Sequence, residues 1–227
     1  MTESEWLAGT DPDAMVRFIQ ERVSERKLRL FVVGCSRFVW EQITEEGWRE
    51  AINKAEFYAD GLLAIEEFDP IGTRLYSYFI DRRYFGMRTP EGTTPSEVQA
   101  WAISLCTALT RTLNRLSTRN SWRLAASLVR PHQAVLLHDI FGPLPFRPVT
   151  ISPAVLAWND RVVVRLAQAA YDKRHLPAGT LDNSRLAALA GALEEAGCTD
   201  ADILGHLRGP GPHVRGCWSV DLCLGKS

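Results

Sequence analysis

The side chains best suited to chemistry crowd near the end of this sequence, where Cys198, His206, His213 and Cys217 follow one another in a short stretch. Two imidazoles and two thiols are a donor set that tetrahedral zinc accepts. Their order, Cys-x7-His-x6-His-x3-Cys, departs from the common zinc spacings, and no Cys-x2-Cys knuckle occurs anywhere. His213 and Cys217 stand four apart and would share one face of a helix beginning near His213, an arrangement that serves a packing contact as well as a metal. The missing knuckle tips the balance, so the expectation is of no cofactor, with zinc on these four residues as the alternative.

The same stretch admits an anion site. Gly209-Pro210-Gly211-Pro212 is a turned connector, and glycine-rich backbone leading into a helix presents N–H groups to phosphate or carboxylate. Arg208, Gly209, Gly211, His213, Arg215 and Trp218 form that candidate set. The plainer reading, preferred here, is a connector that sets the angle between two helices. A nucleophilic Cys217 with His213 and Asp221 one turn to either side has the right residue types. Aligned along a single helix, however, these three leave little room for a substrate. No P-loop, dinucleotide-binding glycine pattern, nucleophile elbow or His-Glu-x-x-His is present, so those enzyme classes find no support.

A third candidate is basic. Arg111, Arg115, Arg119, Arg123 and Arg130 lie in a stretch from Trp101 to His138 that holds no acidic residue. Such a patch can meet phosphates, an acidic protein or the acidic first part of another copy, while ion pairs within the same molecule are the simpler reading. Net charge of −1 and the absence of a recognition motif argue against nucleic acid. The charge is nevertheless uneven, acidic before position 70 and basic after it.

The elements that must position these groups read as helices. Asp11-Pro12 gives a cap and a proline at the first helical position, with Met15, Phe18, Ile19 and Val23 on one face. Ser24 precedes Leu28, Phe31, Val32, Cys35, Phe38 and Val39, and Thr44 precedes Trp48, Ala51, Ile52, Ala55, Ala59 and Leu62. Residues 66–95 read as a short helix and a long loop. Thr94-Pro95-Ser96-Glu97 opens the best-marked helix, with Val98, Trp101, Leu105, Leu109, Leu113 and Leu116. A helix from Ser121 is restarted or kinked by Pro131, and the prolines of 142–148 end it. Val149-Thr150-Ile151 could add a short strand. Ser152-Pro153 caps the next helix, Asn159 or Asp160 starts a longer one, and Ser184 precedes Leu186, Leu189, Ala190 and Leu193. Gly197 then ends a helix and Thr199 with Asp202 caps a short one.

The chain is 227 residues with 46% hydrophobic content, enough for a core without staples. Five cysteines at irregular spacing are expected to be reduced, with Cys35 and Cys106 as core residues. No targeting signal or membrane span is recognisable, so a cytoplasmic protein is expected.

Several stretches carry a resemblance. Glu195-Ala196-Gly197-Cys198 with Asp200-Ala201-Asp202-Ile203-Leu204, then Arg208-Gly209-Pro210-Gly211-Pro212-His213-Val214-Arg215-Gly216-Cys217-Trp218 and Val220-Asp221-Leu222, are the densest of them. Glu5-Trp6-Leu7, Lys27 to Phe31, Asp139 to Gly142 and Pro145 to Val149 add to it. The chain resembles a family of paralogous bacterial proteins to which no activity is assigned. Members often carry a cysteine where this chain has Leu207 and another where it has Ser36. The resemblance implies a helical protein of the bacterial cytosol and brings no ligand or catalytic residue with it.

The expectation is therefore an all-α bundle of about eight to ten helices in a single domain, residues 1–227, with a candidate boundary near 142–148 and a C-terminal helix docked after the glycine-proline hinge. Functionally it reads as a non-enzymatic interaction or adaptor module with a protein partner. Self-association through the acidic and basic regions is a further route. The alternative is a small-ligand, zinc or nucleic-acid binding protein using residues 198–218 and the arginine patch.

Overall fold

A computed structural model describes residues 1–19, 22–43, 46–64, 66–67 and 126–227. Among these residues the fold is all-α, with nine α-helices: α1 (Glu3–Leu7), α2 (Pro12–Ile19), α3 (Glu25–Phe38), α4 (Glu46–Ala59), α5 (Ala126–Phe141), α6 (Pro153–Asp172), α7 (Asn183–Glu195), α8 (Ala201–Leu207) and α9 (Trp218–Leu224). The only β-pairing among them is two isolated bridges, His175 with Thr180 and Thr180 with Val214. The expected strand at 149–151 does not form, since that segment has no pairing partner. No described helix is long and apolar enough to cross a membrane. The helix expected after Pro95, and most of the segment before it, lie outside the described residues.

Sequence caps explain most helix starts. The Asp11 carboxylate accepts from the Asp13 N–H at 3.0 Å, and Ser24 Oγ accepts from the Lys27 N–H at 3.3 Å. Ser152 caps α6 with Pro153 at its first position, and Asp182 caps α7. The short helix α8 is capped by Asp200 rather than Thr199, because the Asp200 carboxylate reaches two free N–H groups, those of Asp202 and Ile203. Helix α5 runs through Pro131 as one element. Helix α6 is broken near its middle, where Asn159, Asp160 and Arg161 take left-handed conformations.

The chain divides into two compact units, 1–27 with 134–227, and 28–133. In the first, the apolar faces of α6, α7, α8 and α9 close over a core that includes Val163, Ala167, Tyr171, Leu186, Leu189, Leu193, Ile203, Leu207, Trp218 and Val220. The turn at 142–148 fits tightly here. Trp6 donates its indole N–H to the Gly142 carbonyl at 2.9 Å, and the Cα of Gly142 lies against the Trp218 ring. In the second unit Leu30, Phe31, Val33, Ile52 and Ala55 are buried. There Arg37 pairs with Glu56 at 2.7 Å, and Phe38 stacks on His132 with ring centroids 4.5 Å apart.

Candidate metal centre

Four side chains from separate stretches of the first unit point their donor atoms at a common centre: Asp139, His206, His213 and Cys217, with all four atoms within 4.8 Å of one another. Asp139 lies in the last turn of α5, among the buried Leu136, Leu137, Ile140 and Phe141. His206 comes from α8, and Cys217 is the residue that caps α9. His213 does not open a helix. The Val214 bridge to Thr180 holds its neighbourhood extended, and Gly216, at φ +97°, turns the chain before Cys217. His213 and Cys217 therefore meet through a turn and not along one helical face.

The distances are short. Asp139 Oδ1 is 3.0 Å from His206 Nε2 and 2.7 Å from His213 Nδ1, and Cys217 Sγ is 3.3 Å from His206 Nε2. The second carboxylate oxygen, Oδ2, accepts the Val214 N–H at 2.8 Å, which leaves Oδ1 to face the centre. His213 Nε2 is 3.3 Å from the Gly209 carbonyl. With its proton placed there, Nδ1 keeps a lone pair for a metal, which is how ligating imidazoles are commonly oriented. Asp139, His213 and Cys217 are at most 3% exposed, whereas the His206 side chain is 20% exposed.

Electrostatics follow from burial and contact. Burial alone would raise the Asp139 carboxyl, but hydrogen bonds and charge from His206 and His213 outweigh it and hold it down to about 2. Burial likewise works to lower His213, and the Asp139 carboxylate overcomes it, so this imidazole is raised above its ordinary value. The Cys217 thiol is pushed well up, first by burial and then by the Asp139 charge. A bound cation would reverse that last effect, because a coordinating thiol is deprotonated.

The arrangement suits a metal better than a relay. A Cys-His-Asp relay sets the thiol on one ring nitrogen and the carboxylate on the other. Here Cys217 and Asp139 both meet Nε2 of His206, while His213 spans Asp139 and a backbone carbonyl. Donors around tetrahedral zinc stand about 3.3–3.8 Å apart for bonds of about 2.0–2.3 Å, and the separations here, from 2.7 Å to at most 4.8 Å, bracket that range. Two imidazoles, one thiolate and one carboxylate oxygen fit that ion.

A second buried polar network adjoins the centre. Asp221 accepts from Lys27 at 2.6 Å, from Arg26 at 2.7 and 3.1 Å, and from the Tyr171 hydroxyl at 2.7 Å. Burial pulls the Lys27 ammonium down, with the Asp221 charge opposing it.

Of the zinc set read from sequence, His206, His213 and Cys217 come together and Cys198 does not. Cys198 packs on the apolar core, and its electrostatic neighbour is Cys223. Asp139 stands in its place, and the available signal was a single acid set among Leu136, Leu137, Ile140 and Phe141. Of the anion set, Arg208 forms a two-point ion pair with Glu194, and Arg215 is buried over the Tyr171 ring. Gly209 accepts from His213, Gly211 lies against the His213 backbone, and Trp218 is buried 5.2 Å from the His206 ring. Arg111, Arg115, Arg119 and Arg123 lie outside the described residues, and Arg130 belongs to α5. Comparison with protein-family models, curated proteins and solved structures finds no match.

Proposed function

We propose that this chain is a zinc-binding helical module, with Asp139, His206, His213 and Cys217 holding one ion that fastens α5, α8, the 208–217 connector and α9 together. The observation that carries this is the convergence of four donor atoms within 4.8 Å from α5, α8 and the connector that leads into α9. Four protein donors fill a tetrahedron, as in structural zinc sites, whereas catalytic sites keep a position open for water or substrate. A closed site of this kind supports a non-enzymatic module whose zinc shapes a surface for a protein partner.

Protein purified without chelator should carry one zinc per chain by elemental analysis. Cobalt loading should give the charge-transfer absorption of a thiolate ligand. His213→Ala and Cys217→Ser should each lose the metal while circular dichroism in chelator still reports a helical fold. A wild-type chain that purifies empty and takes up neither ion overturns the reading. Because a ligand bound only to the folded state stabilises it by RT ln(1 + [L]/Kd), zinc at a thousand times Kd should add about 4 kcal/mol.

A further inference from the structure

We propose that Lys27 is the positioning residue of this centre, fixing the separation of the Asp139 and Cys217 ligands by gripping the backbone beside each of them. The inference rests on the metal reading above. An ammonium has three protons to donate. Those of Lys27 go to the Ile140 carbonyl at 3.1 Å, the Gly216 carbonyl at 2.7 Å and Asp221 Oδ2 at 2.6 Å. Ile140 directly follows Asp139, and Gly216 directly precedes Cys217. One buried group thus ties the end of α5 to the residue that enters α9, at the two points where the anionic ligands leave the backbone.

The grip is itself held firm. Asp221 is anchored by Arg26 and Tyr171 as well as by Lys27. The Tyr171 hydroxyl also accepts the Gly216 N–H at 3.1 Å, so both backbone polar groups of Gly216 are engaged. That matters because Gly216 lies in the left-handed region, where the chain turns to aim Cys217 inward. Outer partners of this kind orient metal ligands, and their loss typically weakens metal binding about 10- to 100-fold.

The experiment compares Lys27→Met with Arg26→Met in the full chain. Arg26 pairs with the same carboxylate and serves as the comparison for loss of another charge partner of Asp221. Zinc affinity is read by competition with a chromophoric chelator, and ligand geometry by the cobalt absorption spectrum. Lys27→Met is expected to bind zinc about 10- to 100-fold more weakly with shifted cobalt bands. Arg26→Met, which removes one anchor of Asp221 and leaves the three Lys27 bonds in place, is expected to weaken zinc binding clearly less than Lys27→Met does. Wild-type affinity in Lys27→Met, or an equal loss in Arg26→Met, overturns the positioning role. A wild-type chain without a cobalt thiolate band is a separate result, since it removes the metal reading before any variant is compared. If Lys27→Met does not fold, Lys27→Arg decides, because it keeps a buried charge beside Asp221 while changing the reach to the Ile140 and Gly216 carbonyls. Weaker zinc binding in that variant supports the proposal, and unchanged binding overturns it.

Discussion

Asp139 divides its two oxygens between a backbone amide and two imidazoles, so one carboxylate sets the geometry and the charge of the whole cluster. In the metal-free protein this gives the fold two pH limbs. The carboxyl is held at about 2 against an ordinary 3.8, so its stabilisation, about 2 kcal/mol, is complete above about pH 4 and is lost as pH falls from there towards 2. His213 is shifted the other way. Its contribution is complete below its ordinary value of 6.5 and is lost as pH rises through the raised folded value. Thermal unfolding in chelator across this range should show both limbs, and Asp139→Asn should flatten both. A variant profile parallel to wild type would show that the carboxylate has no such partners in solution. None of this is visible in the sequence, where His206 and His213 lie 67 and 74 positions from Asp139. Local spacing brought forward the two histidines and Cys217, and it brought Cys198 with them for want of any cue to the third dimension.

Beside the site the chain also depends on one close approach by a glycine. At Gly142, with φ +48°, an added Cβ would lie 2.5 Å from Cδ1 of Trp218. Gly142→Ala therefore combines a left-handed non-glycine residue with overpacking against a buried ring. About 2–4 kcal/mol of stability should be lost, measured by urea unfolding. Gly142 is three residues beyond Asp139 and Trp218 is next to Cys217, so the same variant should weaken zinc binding. Caps and apolar spacing made α2, α3, α6 and α7 readable, because those signals act within a turn or two. The stretch around His213 misled, since its conformation is set by the distant Thr180 and by a glycine turn. Lys27, Asp139 and Asp221 lie in apolar helical faces as charges whose partners only the folded chain reveals.

For the molecule as a whole, the all-α class follows from helical periodicity, since no described segment alternates in a way that builds a sheet. The proposed site did not follow, because its four donor residues, spread over 139–217, are brought together only by the packing of α5 to α9. If zinc fastens that packing, amide hydrogen exchange in residues 199–224 should speed up on chelation and recover on adding zinc. Exchange unaffected by chelator would mean that core packing alone holds these helices.

The contact from Asp139 to His206 spans 67 positions. A metal bridging them closes that stretch into a ring, as a covalent cross-link would, and a ring of that size costs an unfolded chain about 4 kcal/mol of entropy. Unlike a covalent bond, this closure opens whenever free metal runs out. On the proposed zinc reading, the chain would be linear without metal and closed through the site with it.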